Sequence, residues 1–222
     1  MCANFQPITL AQAKLFTSQQ LCFDFNDDIY PNYDTPLLFA TQNDIEPQWR
    51  QVRFGLIPKW AESTDITKYT YNARSETVME KPSYRDAWYK SQFALIPVQT
   101  IYEPYYENGK SQRWGIYRKD NQPFTVAAIY EVARIQGEII RSMSMLTINA
   151  TNHPLMSQFH RPKDEKRSIV VIPEHLRMEW LKCHYTQAMS FLNPMSDDFT
   201  AQAMPRPPKN PIKSNIKQDD LF

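Results

Sequence analysis

Strand signals crowd the middle of this chain and leave little room for anything but a sheet-based fold. Phe93–Val98, Thr100–Tyr106, Arg113–Tyr117, Phe124–Tyr130 and Met143–Asn149 are rich in β-branched and aromatic residues. Glu107-Asn108-Gly109-Lys110 contains Asn-Gly, the strongest short hairpin signal. Upstream, Leu37–Thr41 and Val52–Ile57 read as strands, the second an apolar run closed by Pro58. Ile169–Ile172 is one more β-branched run. Helical signals are short. Thr9 with Gln12 resembles a capping box that opens a helix through about Phe16. Ser83–Lys90 has Tyr84, Ala87 and Trp88 on one helical face. Asn152 is placed to cap a helix at His153–Phe159, and Glu174–Leu181 and Gln187–Leu192 follow. Residues 22–36 and 60–71 read as irregular. There is no βαβ rhythm and no internal repeat. The expectation is an α+β fold: a single domain over residues 1–199, with a mainly antiparallel, barrel-like β core and short peripheral helices. Residues 200–222 are rich in Pro, Lys and Asn and have little to bury, so a disordered tail is expected there.

Composition narrows the chemistry. With four glycines there is no GxGxxG or GxxxxGK[ST], which excludes a Rossmann or P-loop nucleotide site. A net charge of +1 gives no global attraction to nucleic acid, so any anion site must be a local patch. Cys2, Cys22 and Cys183 form neither a CxxC pair nor a disulfide framework, and the histidines lack zinc-ligand spacing. No metal and no cofactor are expected. No apolar run approaches the ~20 residues of a membrane span, and the start lacks the basic and apolar regions of a signal peptide. The expected compartment is the cytoplasm.

Cys2 carries the sharpest chemical suggestion. A starting methionine before a small residue is generally trimmed, which would leave Cys2 with a thiol and a free α-amine on one carbon. These titrate near ~8.5 and ~8, so both have reactive fractions at neutral pH. A 1,2-aminothiol captures aldehydes: the amine gives an imine and the thiol closes it to a thiazolidine. Three further segments carry suitable partners. YNARSET (Tyr71–Thr77) contains Asn72, Arg74 and Glu76; LIPVQTIYEP puts Glu103 on a strand; NHPLMSQFHRPKDEKR puts His160 beside a basic cluster. Each has an ordinary alternative. Asn72 also suits a helix cap or turn, Glu103 a surface strand position, His160 a helix end, and Arg74 a surface pair with Glu76.

Together these segments resemble the SOS-response-associated peptidase (SRAP) family. That family has Cys at position two, a WGLIPxW-type strand, an NARSET motif, a CLIPAxGFYEW-like segment and a late His before an RMP-like stretch. Here FGLIPKW stands at Phe54–Trp60, NARSET at Asn72–Thr77, YRDAWYKSQFALIPVQTIYEP at Tyr84–Pro104, and His160 in the late segment. The resemblance covers about residues 1–181. It implies a protein that binds single-stranded DNA and shields abasic sites in the DNA damage response by a covalent thiazolidine on Cys2. It also implies autoproteolytic removal of the leading residue, hence a thiol peptidase or hydrolase with lyase-like crosslinking. Carried over by motif, Cys2 is the nucleophile, Asn72 orients its amine or ring, Glu103 is the general acid/base, and His160 assists sugar opening and crosslink reversal. Arg74 matches the family's phosphate-contacting arginine; Arg85, Arg161, Lys163, Lys166 and Arg167 would extend the groove, with Trp60 and Tyr102 as stacking surfaces.

The chain also departs from the family. Asn4 replaces the arginine of the common MCGR start, so the DNA grip expected at Asn4 lacks its charge. GFYEW has become TIYEP, so Pro104 replaces a tryptophan. Arg161 and Arg167 compete for the place of the motif's arginine. A separate signal is QDDLF, Gln218 to Phe222, which resembles the peptide that docks on the replication sliding clamp through Gln218, Leu221 and Phe222. The alternatives from other classes are a cysteine peptidase or amidohydrolase acting on proteins through Cys2, and a noncatalytic single-strand-binding module.

Overall fold

A computed structural model describes residues 2–206 of this chain. One mixed sheet dominates it, and five of its strands close into a ring. Strand β2 (Asp34–Phe39) pairs with β3 (Gln48–Phe54) and, through Leu38 and Leu95, with β5 (Phe93–Glu107). β5 pairs with β7 (Phe124–Ile135), and β7 with β8 (Glu138–Asn149). β8 returns to β3 in parallel and closes the circuit. Most pairings are antiparallel; β3 and β4 (Asn72–Arg74) run parallel to β8. The core is therefore barrel-like, as expected. The α-helices are short and peripheral: α1 (Arg85–Tyr89), α2 (Arg177–Lys182) and α3 (Tyr185–Ala188). No helix among the described residues is long and apolar enough to cross a membrane.

The apolar run of β5 is explained by burial of both its faces. Ala94, Ile96 and Val98 point into a cluster that includes Cys2, Phe5, Phe54 and Met145. Phe93 and Leu95, on the opposite face, pack under helices α1 and α2. There Phe93 meets Trp88 at 5.2 Å and Trp180 at 4.6 Å between ring centroids. The Trp180 indole donates to the Ala94 carbonyl at 2.8 Å, so its buried polar atom is satisfied. Burial of a side chain such as Phe93 contributes about 1.5–3 kcal/mol.

β5 is one strand of fifteen residues where the sequence suggests two. It stays continuous because it changes partners: β7 flanks Phe93–Val98, while β1 (Asn4–Pro7) and β6 (Lys110–Arg118) flank its second half. The Asn-Gly hairpin is present, with Glu107 opposite Lys110 and both turn residues at positive φ. A second hairpin through Gln136 and Gly137, also at positive φ, extends β7 and β8 beyond their expected ends. The Thr9–Gln12 capping box is formed, on a 3-10 helix rather than an α-helix.

Four expectations need correction. The strand through FGLIP ends at Phe54, because Gly55 sits at φ +112 and its backbone presses against Thr67. The segment 60–71 is not wholly irregular, since Thr64–Lys68 is a 3-10 helix capped by Ser63. Near His153 the helix is a 3-10 turn, Met156–Gln158, and Asn152 does not cap it; His153 Nδ1 accepts from the amides of Leu155 and Met156. Finally, residues 200–203 are no tail. Phe199–Ala203 forms β11, which satisfies the open edge of β6 from Phe199 opposite Arg118 to Ala203 opposite Trp114. Residues 207–222, with the clamp-type peptide Gln218, Leu221 and Phe222, lie outside the described residues.

Candidate functional site

Strand pairing brings Cys2 to its partners. β1 runs antiparallel to β5 with Asn4 opposite Tyr102, so the register carries Cys2 to the level of Glu103 and Pro104. β4 lies on β8 with Asn72 opposite Met145, on the other side of the same cluster. Asn72 Nδ2 donates to the Cys2 carbonyl oxygen at 2.7 Å. The motif asparagine thus holds the backbone of residue 2. Its Oδ1 is buried and has no hydrogen-bond partner among the described residues. The Tyr84 hydroxyl donates to the Asn72 carbonyl at 2.9 Å and ties β4 to the start of α1.

Glu103 and His160 form a buried pair, with His160 Nε2 2.9 Å from Glu103 Oε2. Glu103 is 3% exposed and His160 4%, so neither is the surface residue its neighbours in sequence allow. His160 takes φ +64, a strained conformation for a residue with a Cβ. Two contacts fix it there. The His160 amide donates to the Pro104 carbonyl at 2.9 Å, and Lys166 Nζ reaches the carbonyls of Phe159, His160 and Arg161 at 2.6, 3.2 and 3.1 Å. Lys166 therefore clamps the histidine loop. His160 Nδ1 is buried without a partner among the described residues.

The Cys2 thiol is 1% exposed and donates to the Asn4 carbonyl at 3.6 Å. Burial pushes its pKa far above the ordinary thiol value, and the Glu103 charge adds to the rise. The thiol is neutral at pH 7. Half-buried Tyr71 stands beside it: burial, then the charges of Cys2 and Glu103, raise the Tyr71 phenol. Tyr71 shares the cluster of Cys2 and packs edge-on against Phe54.

The arginines expected on DNA divide into two groups. Arg74, Arg85 and Arg161 reach solvent, paired with Glu165 (2.8 Å), Asp86 (3.7 Å) and the Tyr106 hydroxyl (3.3 Å) respectively. Arg167 does not. It is 2% exposed, forks onto Glu76 with two bonds of 2.8 Å, and also bonds Glu165 and Thr147. Arg167 is thus the partner of Glu76, and Arg74 is not. Asn4 is also committed: its amide donates to Asp28 and the Ile29 carbonyl and accepts from Arg113 Nε at 3.1 Å. Arg167 and Asn4 are both buried and bonded into the scaffold, Arg167 through its two terminal nitrogens while its Nε has no partner among the described residues. Trp60 is 57% exposed, whereas Tyr102 is half-buried with the Arg113 guanidinium 3.3 Å from its ring centroid.

Sequence reasoning missed the cavity of about 850 Å³ that Ala3, Asn4, Tyr30, Tyr102, Glu103 and Arg113 help to line. Arg113 has no local signature; only the pairing of β6 with β5 sets it against Tyr102. Tyr71 was legible as the neighbour of Asn72, but nothing in sequence sets its ring beside Cys2. No cluster of His, Cys, Asp and Glu among the described residues suits a metal ion.

Known proteins resemble this chain in sequence and in fold. Over 169 residues the chain is 28% identical to the abasic site processing protein YoqW of Bacillus subtilis, covering 72% of each chain. It is 30% identical over 133 residues to YobE of the same organism, a match that spans 59% of this chain and only 57% of YobE. A solved protein from Bordetella bronchiseptica superposes with a TM-score of 0.84 at 29% identity, covering 91% of this chain and 99% of the other. The family model of the SOS response associated peptidase (SRAP) matches residues 2–207, and the chain belongs to that family.

Proposed function

We propose that this protein captures abasic sites in single-stranded DNA as a covalent thiazolidine on Cys2, shielding them in the response to DNA damage. The observation that carries the reading is that Asn72 holds the Cys2 carbonyl while Glu103, paired with His160, lies near enough for its charge to act on the Cys2 thiol. The relatives named as abasic site processing proteins support it.

Removal of Met1, by the protein itself in this reading, frees the Cys2 amine. Asn72 Oδ1 is the buried acceptor that the amine needs, on the same side chain that already holds the Cys2 carbonyl. The opened abasic sugar presents an aldehyde. The amine attacks its carbon, and the Glu103–His160 pair supplies the proton that lets the carbinolamine oxygen leave as water. The neutral thiol then adds across the imine: sulfur bonds to carbon and its proton ends on nitrogen. A neutral thiol suits an order in which the amine attacks first and sulfur closes second. It suits a cysteine peptidase acting on other proteins poorly, because that chemistry needs an exposed thiolate paired with a histidine. Here His160 Nε2 is engaged by Glu103.

Arg74 and Arg161 are the exposed cations best placed in sequence to hold the DNA backbone, with Arg85 further out on α1. The same reading extends to residues 218–222, proposed to dock on the replication sliding clamp; a peptide of residues 213–222 that fails to bind purified clamp ends that extension. The main test is incubation with an abasic single-stranded oligonucleotide. A heat-stable shifted band that Cys2→Ala abolishes is expected, and intact mass should show Met1 absent. A band that survives Cys2→Ala, or no band from protein with a free Cys2 amine, refutes the proposal.

A further inference from the structure

The cavity beside Glu103 is not used by the chemistry above, and its wall has an unusual construction. Arg113 forms part of it, and each of its guanidinium nitrogens has a partner. Nε donates to Asn4 Oδ1 at 3.1 Å, Nη1 to the Met204 carbonyl at 3.4 Å, and Nη2 to both Asp28 oxygens at 2.7 and 3.0 Å. One flat face lies on the Tyr102 ring at 3.3 Å. A two-pronged grip on a phosphate through Nε and Nη2 would cost Arg113 its bonds to Asn4 and Asp28. What it offers the cavity is its second flat face, and nucleobases stack on arginine planes as they do on aromatic rings. Pro31, Pro104 and Pro205 add flat apolar wall, Ser111 and Gln112 add polar groups, and Tyr30 lies under the guanidinium of Arg206 at 5.1 Å. The volume of about 850 Å³ is in the range of small-molecule sites.

We propose that this cavity is a nucleobase slot. It takes the base of the nucleotide next to the abasic sugar and stacks it on the Arg113–Tyr102 pair. Glu103 places the occupant, because it belongs both to the cavity and to the reacting centre. The inference rests on the abasic-site reading and adds the substrate contact that flanks it. Pro104 matters in this role, since a bulky ring at that position would project into the space.

The test uses the full chain and a single strand carrying tetrahydrofuran, an unreactive sugar, in place of the abasic site. 2-Aminopurine is set on its 5′ or its 3′ side. Binding is expected to quench 2-aminopurine on one side only, and removal of that base should weaken binding about tenfold. Arg113→Leu should lose the quenching. Because it also removes the ion pair of Asp28, Ser111→Trp, a substitution at the cavity rim, provides the second variant; it should lose both the quenching and the dependence on the base. No binding, no quenching on either side, or an affinity indifferent to both flanking bases overturns the slot. The covalent band on a reactive strand scores the chemistry separately. Quenching without a band keeps the slot and removes the crosslink; a band without quenching removes the slot alone.

Discussion

Glu76→Gln tests whether the acidic residue of the NARSET motif acts as a structural anion. Glu76 accepts both arms of the Arg167 fork and the Asn149 amide, and so ties the turn after β4 to β8 and to Arg167 of strand β9 (Arg167–Ile169). Partial burial works to raise its pKa, but the Arg167 hydrogen bonds and charge outweigh that and hold it at about 2, against an ordinary 4.5. In a dry site that gap corresponds to roughly 3 kcal/mol. The Glu76 side chain is 47% exposed, and solvent screening reduces the figure to about 1–2 kcal/mol. The sign follows from the direction of the shift. A carboxyl whose folded pKa is depressed contributes its stability above the unfolded value of 4.5, and loses it as pH falls toward 2. Glutamine mimics the protonated acid at every pH. Urea unfolding of wild type and Glu76→Gln should therefore differ by about 1–2 kcal/mol at pH 7, or some 2–8 °C in Tm. The difference should stay level down to about pH 5.5 and shrink by more than half at pH 3. A gap below ~0.5 kcal/mol at pH 7, or one that does not change with pH, would refute the account of Glu76.

Lys166→Met removes the clamp on the His160 loop, so crosslinking to an abasic strand should slow by about tenfold or more while affinity for an intact strand changes little; parallel losses of rate and affinity would instead mark Lys166 as a DNA contact. Gly55→Ala forces a side chain into φ +112 and sets its Cβ 2.5 Å from the Thr67 carbonyl oxygen, which should cost at least ~2 kcal/mol in denaturant unfolding; an unchanged midpoint would contradict the packing described. Iodoacetamide at pH 8 should label exposed Cys22 first by mass spectrometry. Cys2 and Cys183 should lag until the chain unfolds, since burial raises both thiols, Cys183 to about 11; labelling of Cys2 as fast as Cys22 would show an accessible thiolate.

The strands were legible where local signals are strong. Alternation and β-branching mark β5 to β8, and Asn-Gly marks the first hairpin. Strand ends were not legible where tertiary contacts decide them: Gly55 turns the chain at a close approach to Thr67, and β11 is a polar, small-residue segment whose strand character comes from the open edge of β6. Among the site candidates, Cys2, Asn72, Glu103 and His160 stood out because their segments resemble a family. The arginines were harder. Arg74 and Arg167 look alike in sequence, yet one is exposed and the other sealed under Glu76 and Thr147, because burial depends on which strands flank a residue.

Sequence alone determined the candidate residue types and the sheet-based class of the fold, since both follow from local chemistry: a cysteine at position two, and β-branched, aromatic runs that favour strands. Tertiary structure decided which atoms meet. It turned the Asn72 amide onto the Cys2 carbonyl, joined Glu103 to His160 across fifty-seven residues, buried Asn4 and Arg167 among scaffold partners, and opened a cavity beside Glu103. These depend on strand register and ring closure, which arise from pairings between distant segments that no local pattern encodes.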